Sequence, residues 1–176
     1  MNVINLVSHF YEQLSRLDDL VDNATTEYLK AKEANGIPDD QIPPRGMTPF
    51  FTAILDGAEK SLRSNPSERL LIALRDSARD GLANATATDE IRLELLKRLP
   101  MDVRTALLKT RELEELTAGT ERNAVEVLNR AATTDEICNA VAAVLKVDPR
   151  PEAQNSYEKS IFDEWTKRLC REGATA

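Results

Sequence analysis

Reactive side chains are scarce in this chain of 176 residues, which has one histidine (His9), one tryptophan and two cysteines. It contains no GxGxxG, no GxxxxGK[ST] loop and no HExxH. Enzymatic chemistry needs a positioned nucleophile, base or metal, so these absences point away from an enzyme. Cys138 and Cys170 lack CxxC spacing and have only one histidine to join them, which argues against both a zinc site and a disulfide framework. Both are expected to be small core residues, and His9 is expected to be solvated. No run approaches the roughly 20 apolar residues of a membrane span. The opening MNVINLVSHF has neither the basic start nor the apolar stretch of a secretory signal, so the expectation is a cytosolic chain with no membrane partner. Without such a signal, the Asn-x-Thr triplets at Asn23 and Asn84 carry no weight.

Charge is unbalanced, with 30 acids against 23 bases and a net charge of -7. That sign disfavours a general nucleic-acid or membrane binder. Its distribution matters more: residues 1–60 hold ten acids and five bases, whereas residues 67–111 hold nine bases and seven acids. A local basic face in the middle of the chain remains compatible with the acidic total.

With 41% hydrophobic residues, the chain can bury one sizeable core, and a single domain over 1–176 is expected. Its first 34 residues carry a heptad pattern. Val7, Leu14, Val21 and Tyr28 occupy one position, and Val3, Phe10, Leu17, Ala24 and Ala31 the other, as in one long amphipathic helix. Asn35-Gly36 ends it, and the Pro-rich segment 35–48 reads as an extended connection. Thr48-Pro49 opens a second helix, and Asn65-Pro66-Ser67-Glu68 reads as a capping box for a third that closes near Gly81. Thr88 is expected to cap a short helix stopped by Pro100. Asp102 should start another that ends at Gly119, and Thr120 and Thr134 should start two more. The echo of TDEI at Thr88 and Thr134 raises a 46-residue repeat. Asn155 with Glu158 caps the last helix, which ends in Lys167, Arg168, Arg171 and Gly173 before a flexible tail, 173–176. No stretch alternates with the period of a strand, so the fold class is all-α and a helical bundle is the natural architecture.

Two charged or aromatic clusters stand out. In ERLLIALRDSARDGL, Arg75 and Arg79 are i,i+4 neighbours, as are Asp76 and Asp80. That pattern fits either a salt-bridged solvent face or an arginine pair for phosphates oriented by carboxylates. In NSYEKSIFDEW, the residues Tyr157, Ile161 and Trp165 continue to Leu169 at intervals of four, with Phe162 alongside. Such a stripe ordinarily seals a core.

Three stretches resemble the coat proteins of rod-shaped plant RNA viruses, the tobamovirus-like family (Virgaviridae) that includes furo-, pomo- and hordeivirus coats. LLIALRDSARDG is similar to the helix leading into that family's RNA site. EICNAVAAVL is similar to the long returning helix, and SYEKSIFDEW to a C-terminal motif with a Trp eight residues after an aromatic. The resemblance implies a four-helix-bundle core with additional short helices and a long N-terminal helix. It also implies self-assembly into a helical rod around viral single-stranded RNA, located in the virion and, during assembly, in the host cytoplasm. Arg75 and Arg79 would then carry phosphates, Asp76 would orient them, and Arg130 and Asn139 on the returning helices would be further RNA contacts. Tyr157, Glu158, Phe162 and Trp165 would seal the outer end of the bundle. No cofactor is implied beyond a weak divalent cation at intersubunit carboxylates, whose repulsion would make assembly reversible. A different reading of the same acidic, helical composition is an interaction protein, such as an immunity protein or inhibitor, that covers a basic partner.

Overall fold

The computed structural model describes residues 2–170, so the basic terminus at Arg171 and the tail 173–176 lie outside the described residues. Among the described residues there are six α-helices and no strand: α1 Val3–Ala34, α2 Thr48–Ser64, α3 Arg69–Arg98, α4 Met101–Ala131, α5 Thr134–Leu145 and α6 Ser156–Leu169. Short 3-10 turns at Asp39–Gln41 and Pro151–Ala153 interrupt two of the connections. The chain divides into two compact units, one of Met1–Tyr28 with Ala106–Ala176 and one of Leu29–Thr105.

The core of the first unit follows from the heptad pattern of α1. Val7, Phe10 and Leu14 are buried there with Ala124 and Leu128 of α4, Ile137, Ala140 and Val141 of α5, and Trp165 and Leu169 of α6. Four helices thus supply one contiguous apolar cluster. Each fully buried aliphatic side chain in it contributes about 1.5–3 kcal/mol of transfer free energy. The entries to α5 and α6 are fixed by reciprocal caps. Thr133 accepts from the Glu136 amide at 3.3 Å while its own amide donates to Glu136 at 2.8 Å. The Thr133 amide, and then its hydroxyl at 3.1 Å, donate to the Glu136 carboxylate and hold it below its usual range. Asn155 accepts from the amides of Tyr157 and Glu158, and Glu158 accepts from Asn155, as the sequence anticipates. Between the two helices, Asp148 accepts from the Arg150 side chain and then from its backbone amide, bonds that lower the Asp148 pKa to about 2.

In the second unit, α2 packs along α3. Gly36, at φ +61, ends α1 with its amide bonded to Glu33, as expected of Asn35-Gly36. Several anticipated boundaries do not exist. α3 runs unbroken through Gly81 and Thr88, and α4 through Gly119 and Thr120. Instead of capping, Thr88 and Thr120 return their hydroxyls to the carbonyls of Asn84 and Leu116, at 2.9 Å each. The continuous α3 buries Ala78, Ala85 and Leu96, and that packing outweighs the local stop signals. The start of α3 is capped by Glu68, through the Leu70 amide, and not by a box from Asn65. TDEI is mid-helix at Thr88 but opens a helix at Thr134, so it marks no structural repeat.

Gly81 has a different function from the helix stop expected of it. A Cβ at this position would lie 2.3 Å from the Phe51 ring of α2, so the missing side chain allows the two helices to approach. Gly81→Ala should therefore destabilise the chain by about 1–3 kcal/mol through overpacking, although alanine is favoured over glycine in a helix by about 1 kcal/mol. In a Phe51→Ala background the same change should become stabilising. Denaturant unfolding of the four chains checks the reversal; a stabilising Gly81→Ala in both backgrounds would contradict the contact.

Candidate nucleic-acid interface

On α4 of the first unit, Arg122, Glu126, Asn129 and Arg130 fall at i, i+4, i+7 and i+8, which sets them along one side of the helix. The last turn of α6 adds Lys167 and Arg168, the basic end that suits a helix C-terminus. Together they line an open groove of about 880 Å³. Arg122 and Arg130 are exposed, and Arg130 is paired with Glu126 one turn earlier.

Arg168 differs from the other cations of this groove. Its guanidinium donates to both carboxylate oxygens of Asp18 on α1, at 2.8 and 3.1 Å, and to Glu121 on α4 at 2.5 Å. It also lies 4.4 Å above the Trp165 ring, which packs on Tyr11 with centroids 4.5 Å apart. Burial disfavours its charge, but the bonds to Asp18 and Glu121 outweigh that effect and raise its pKa further. Beyond Arg168 the sign of the surface reverses. A second groove, about 530 Å³, is lined by Asp18, Asp22, Glu114, Glu121 and Glu164.

The residues expected to carry RNA are only partly brought together. Arg130 lines the basic groove, whereas Asn139 is exposed on α5 and does not line it. Arg75 and Arg79 lie on α3 in the second unit. Arg75 bonds Asp76 at 2.9 Å, but Arg79 bonds Glu59 of α2 at 2.9 Å, not Asp80. In the C-terminal motif, Trp165 is buried and Phe162 packs at the core's edge. Glu158 is the cap of α6. Tyr157 does not belong to the core stripe: it stands 74% exposed in the first turn of α6, and Tyr11 supplies the ring against Trp165. Sequence reasoning missed Arg122 and Lys167 as groove residues. The eight-residue spacing of Arg122 and Arg130 was available in the helix expected from Thr120, whereas Lys167 lies on α6 and no spacing in the sequence joins it to them.

Among the described residues, no group of three or more histidine, cysteine, aspartate or glutamate side chains is placed to hold a metal ion, and no helix is long and apolar enough to cross a membrane. The chain matches no family model, no curated protein and no solved structure.

Replacing Arg168 by Gln would leave Asp18 and Glu121 without their shared counter-charge. Because Arg168 is mostly buried while its partners are part-exposed, the expected loss is about 1–3 kcal/mol, below that of a fully buried pair. Urea unfolding at low and high salt measures it. A loss below about 0.5 kcal/mol at low salt would show that the guanidinium does not hold the three helices.

Proposed function

We propose that the chain is a viral coat protein that binds genomic single-stranded RNA along its length and assembles into a helical rod, with a tobamovirus-like four-helix bundle as its structural core. The observation that carries this reading is the basic groove of α4 and α6. Arg122, Arg130 and Lys167 present guanidinium and ammonium groups along an open channel, the arrangement that suits a phosphodiester backbone. Contacts of that kind are blind to base identity, which is what a coat needs when identical subunits cover one long RNA. A few cations per subunit suffice because the contacts repeat, so a net charge of -7 is no obstacle.

Two further features support the reading. Four helices share one core in the first unit, the arrangement a four-helix bundle requires. Large apolar side chains also lie open on both units, among them Leu70 at 79%, Met101 at 72% and Tyr157 at 74% exposure. Such surface suits contacts between copies, and contacts that do not close on themselves generate a filament. Within this account Arg75 and Arg79 are secondary RNA contacts, because they do not line the groove, and like Arg130 each is already paired with a carboxylate.

The acidic groove favours a second reading, an interaction protein that covers a basic partner with Asp18, Asp22, Glu114 and Glu164. Binding to unrelated single-stranded RNAs across a salt series separates the two. Arg122→Ala and Arg130→Ala should each lower the slope of log affinity against log salt by about 0.7, equally for every sequence. Arg75→Ala and Arg79→Ala should change it less. Unaltered slopes in both groove variants would remove the groove from the account, and capture of basic proteins with no RNA affinity would favour the second reading.

A further inference from the structure

The two cysteines, 32 positions apart in sequence, meet in the first unit with their sulfur atoms 3.6 Å apart. Both are free thiols and both are half-buried. Cys138 follows the fully buried Ile137 on α5, and Cys170 follows the fully buried Leu169 as the residue that ends α6. Each sulfur is thus carried by backbone anchored in the core. Cys170 itself has left the helix, with φ -101 and ψ 146, so its side chain is not held by a continuing turn. Closing to a disulfide bond of about 2.05 Å needs a movement of about 1.5 Å, within reach of side-chain rotation and a small shift at that terminus.

We propose that Cys138 and Cys170 form a dithiol site that takes low-molecular-weight disulfides, such as oxidised glutathione, and is converted by them to an intramolecular disulfide clamping the end of α6 to α5. The Cys138 thiolate attacks one sulfur of the small disulfide, forming a mixed disulfide and releasing one small thiolate, which takes up the proton Cys138 lost. Cys170 then gives its proton to solvent and attacks the Cys138 sulfur, and the second small thiolate leaves and is protonated. The protein dithiol loses two electrons, and one small disulfide is reduced to two thiols.

The order of attack follows from the surroundings. Burial, and then the neighbouring Cys138, push the Cys170 thiol up to about 12, so it is not the first nucleophile. Once Cys138 is in the mixed disulfide it has neither a thiolate charge nor a thiol hydrogen, and only burial still opposes ionisation of Cys170. A reducing cytosol keeps both thiols reduced, and an oxidising milieu closes the clamp.

The test treats the intact protein with oxidised glutathione under native conditions, followed by alkylation, mass analysis and thermal unfolding. The expected product is a monomer lighter by two hydrogens with no alkylatable thiol, and its Tm is raised by roughly 5–10 °C over the reduced protein. Cys170→Ser should stop at a glutathione adduct on Cys138, and Cys138→Ser should react much more slowly. Two alkylatable thiols after treatment, a stable adduct in the unsubstituted chain, or only intermolecular disulfides would overturn the proposal.

Discussion

At one point beside its core the first unit is tied together by Arg168. One guanidinium holds Asp18 of α1 and Glu121 of α4 while lying on Trp165 of its own helix, so three helices are tied at one charged point beside the core. The arrangement also sets the electrostatics of the surface. Arg168 and Glu121 line both grooves; the other charged residues are Arg122, Glu126, Arg130 and Lys167 in one, and only carboxylates of α1, α4 and α6 in the other. Two surfaces of opposite sign can coexist so closely because the group between them neutralises the carboxylates nearest the basic side.

This arrangement shows how an acidic chain can carry a groove lined by several cations. The surplus of acid in the first third of the sequence reaches the acidic groove through Asp18 and Asp22. The basic groove does not come from the arginine-rich stretch between 67 and 111, whose Arg75 and Arg79 do not line it. It comes from later positions, Arg122, Arg130 and Lys167. Overall charge is therefore a poor guide here, because a few residues converging on one groove determine what it attracts.

Features governed by local chemistry were legible in the sequence. The seam of α1 appeared as a heptad, and Val7, Phe10 and Leu14 are buried as that pattern requires. The Asn155–Glu158 cap and the Asn35-Gly36 stop were readable for the same reason, since both depend on residues within one turn. Features decided by distant partners were not. Gly81 reads as a helix end until Phe51 is placed against it, and Thr88 reads as a cap until the buried Ala85 and Leu96 on either side of it are seen to belong to one continuous helix. Of the candidate site, Arg130 was legible, but the groove was not, because Lys167 and Arg168 reach it from α6, a helix distant in sequence from α4. The pairing of Tyr11 with Trp165 and the meeting of Cys138 with Cys170 each join residues from separate helices, which spacing alone cannot bring together.

The central claim is that copies of this chain polymerise into rods around RNA. Negative-stain electron microscopy of the purified protein at mildly acidic pH, with and without single-stranded RNA of defined length, examines it most directly. The account predicts discs or short rods from the protein alone, and with RNA, rods whose length scales with that of the RNA. Isolated subunits under every condition, with RNA present and at high protein concentration, would contradict it.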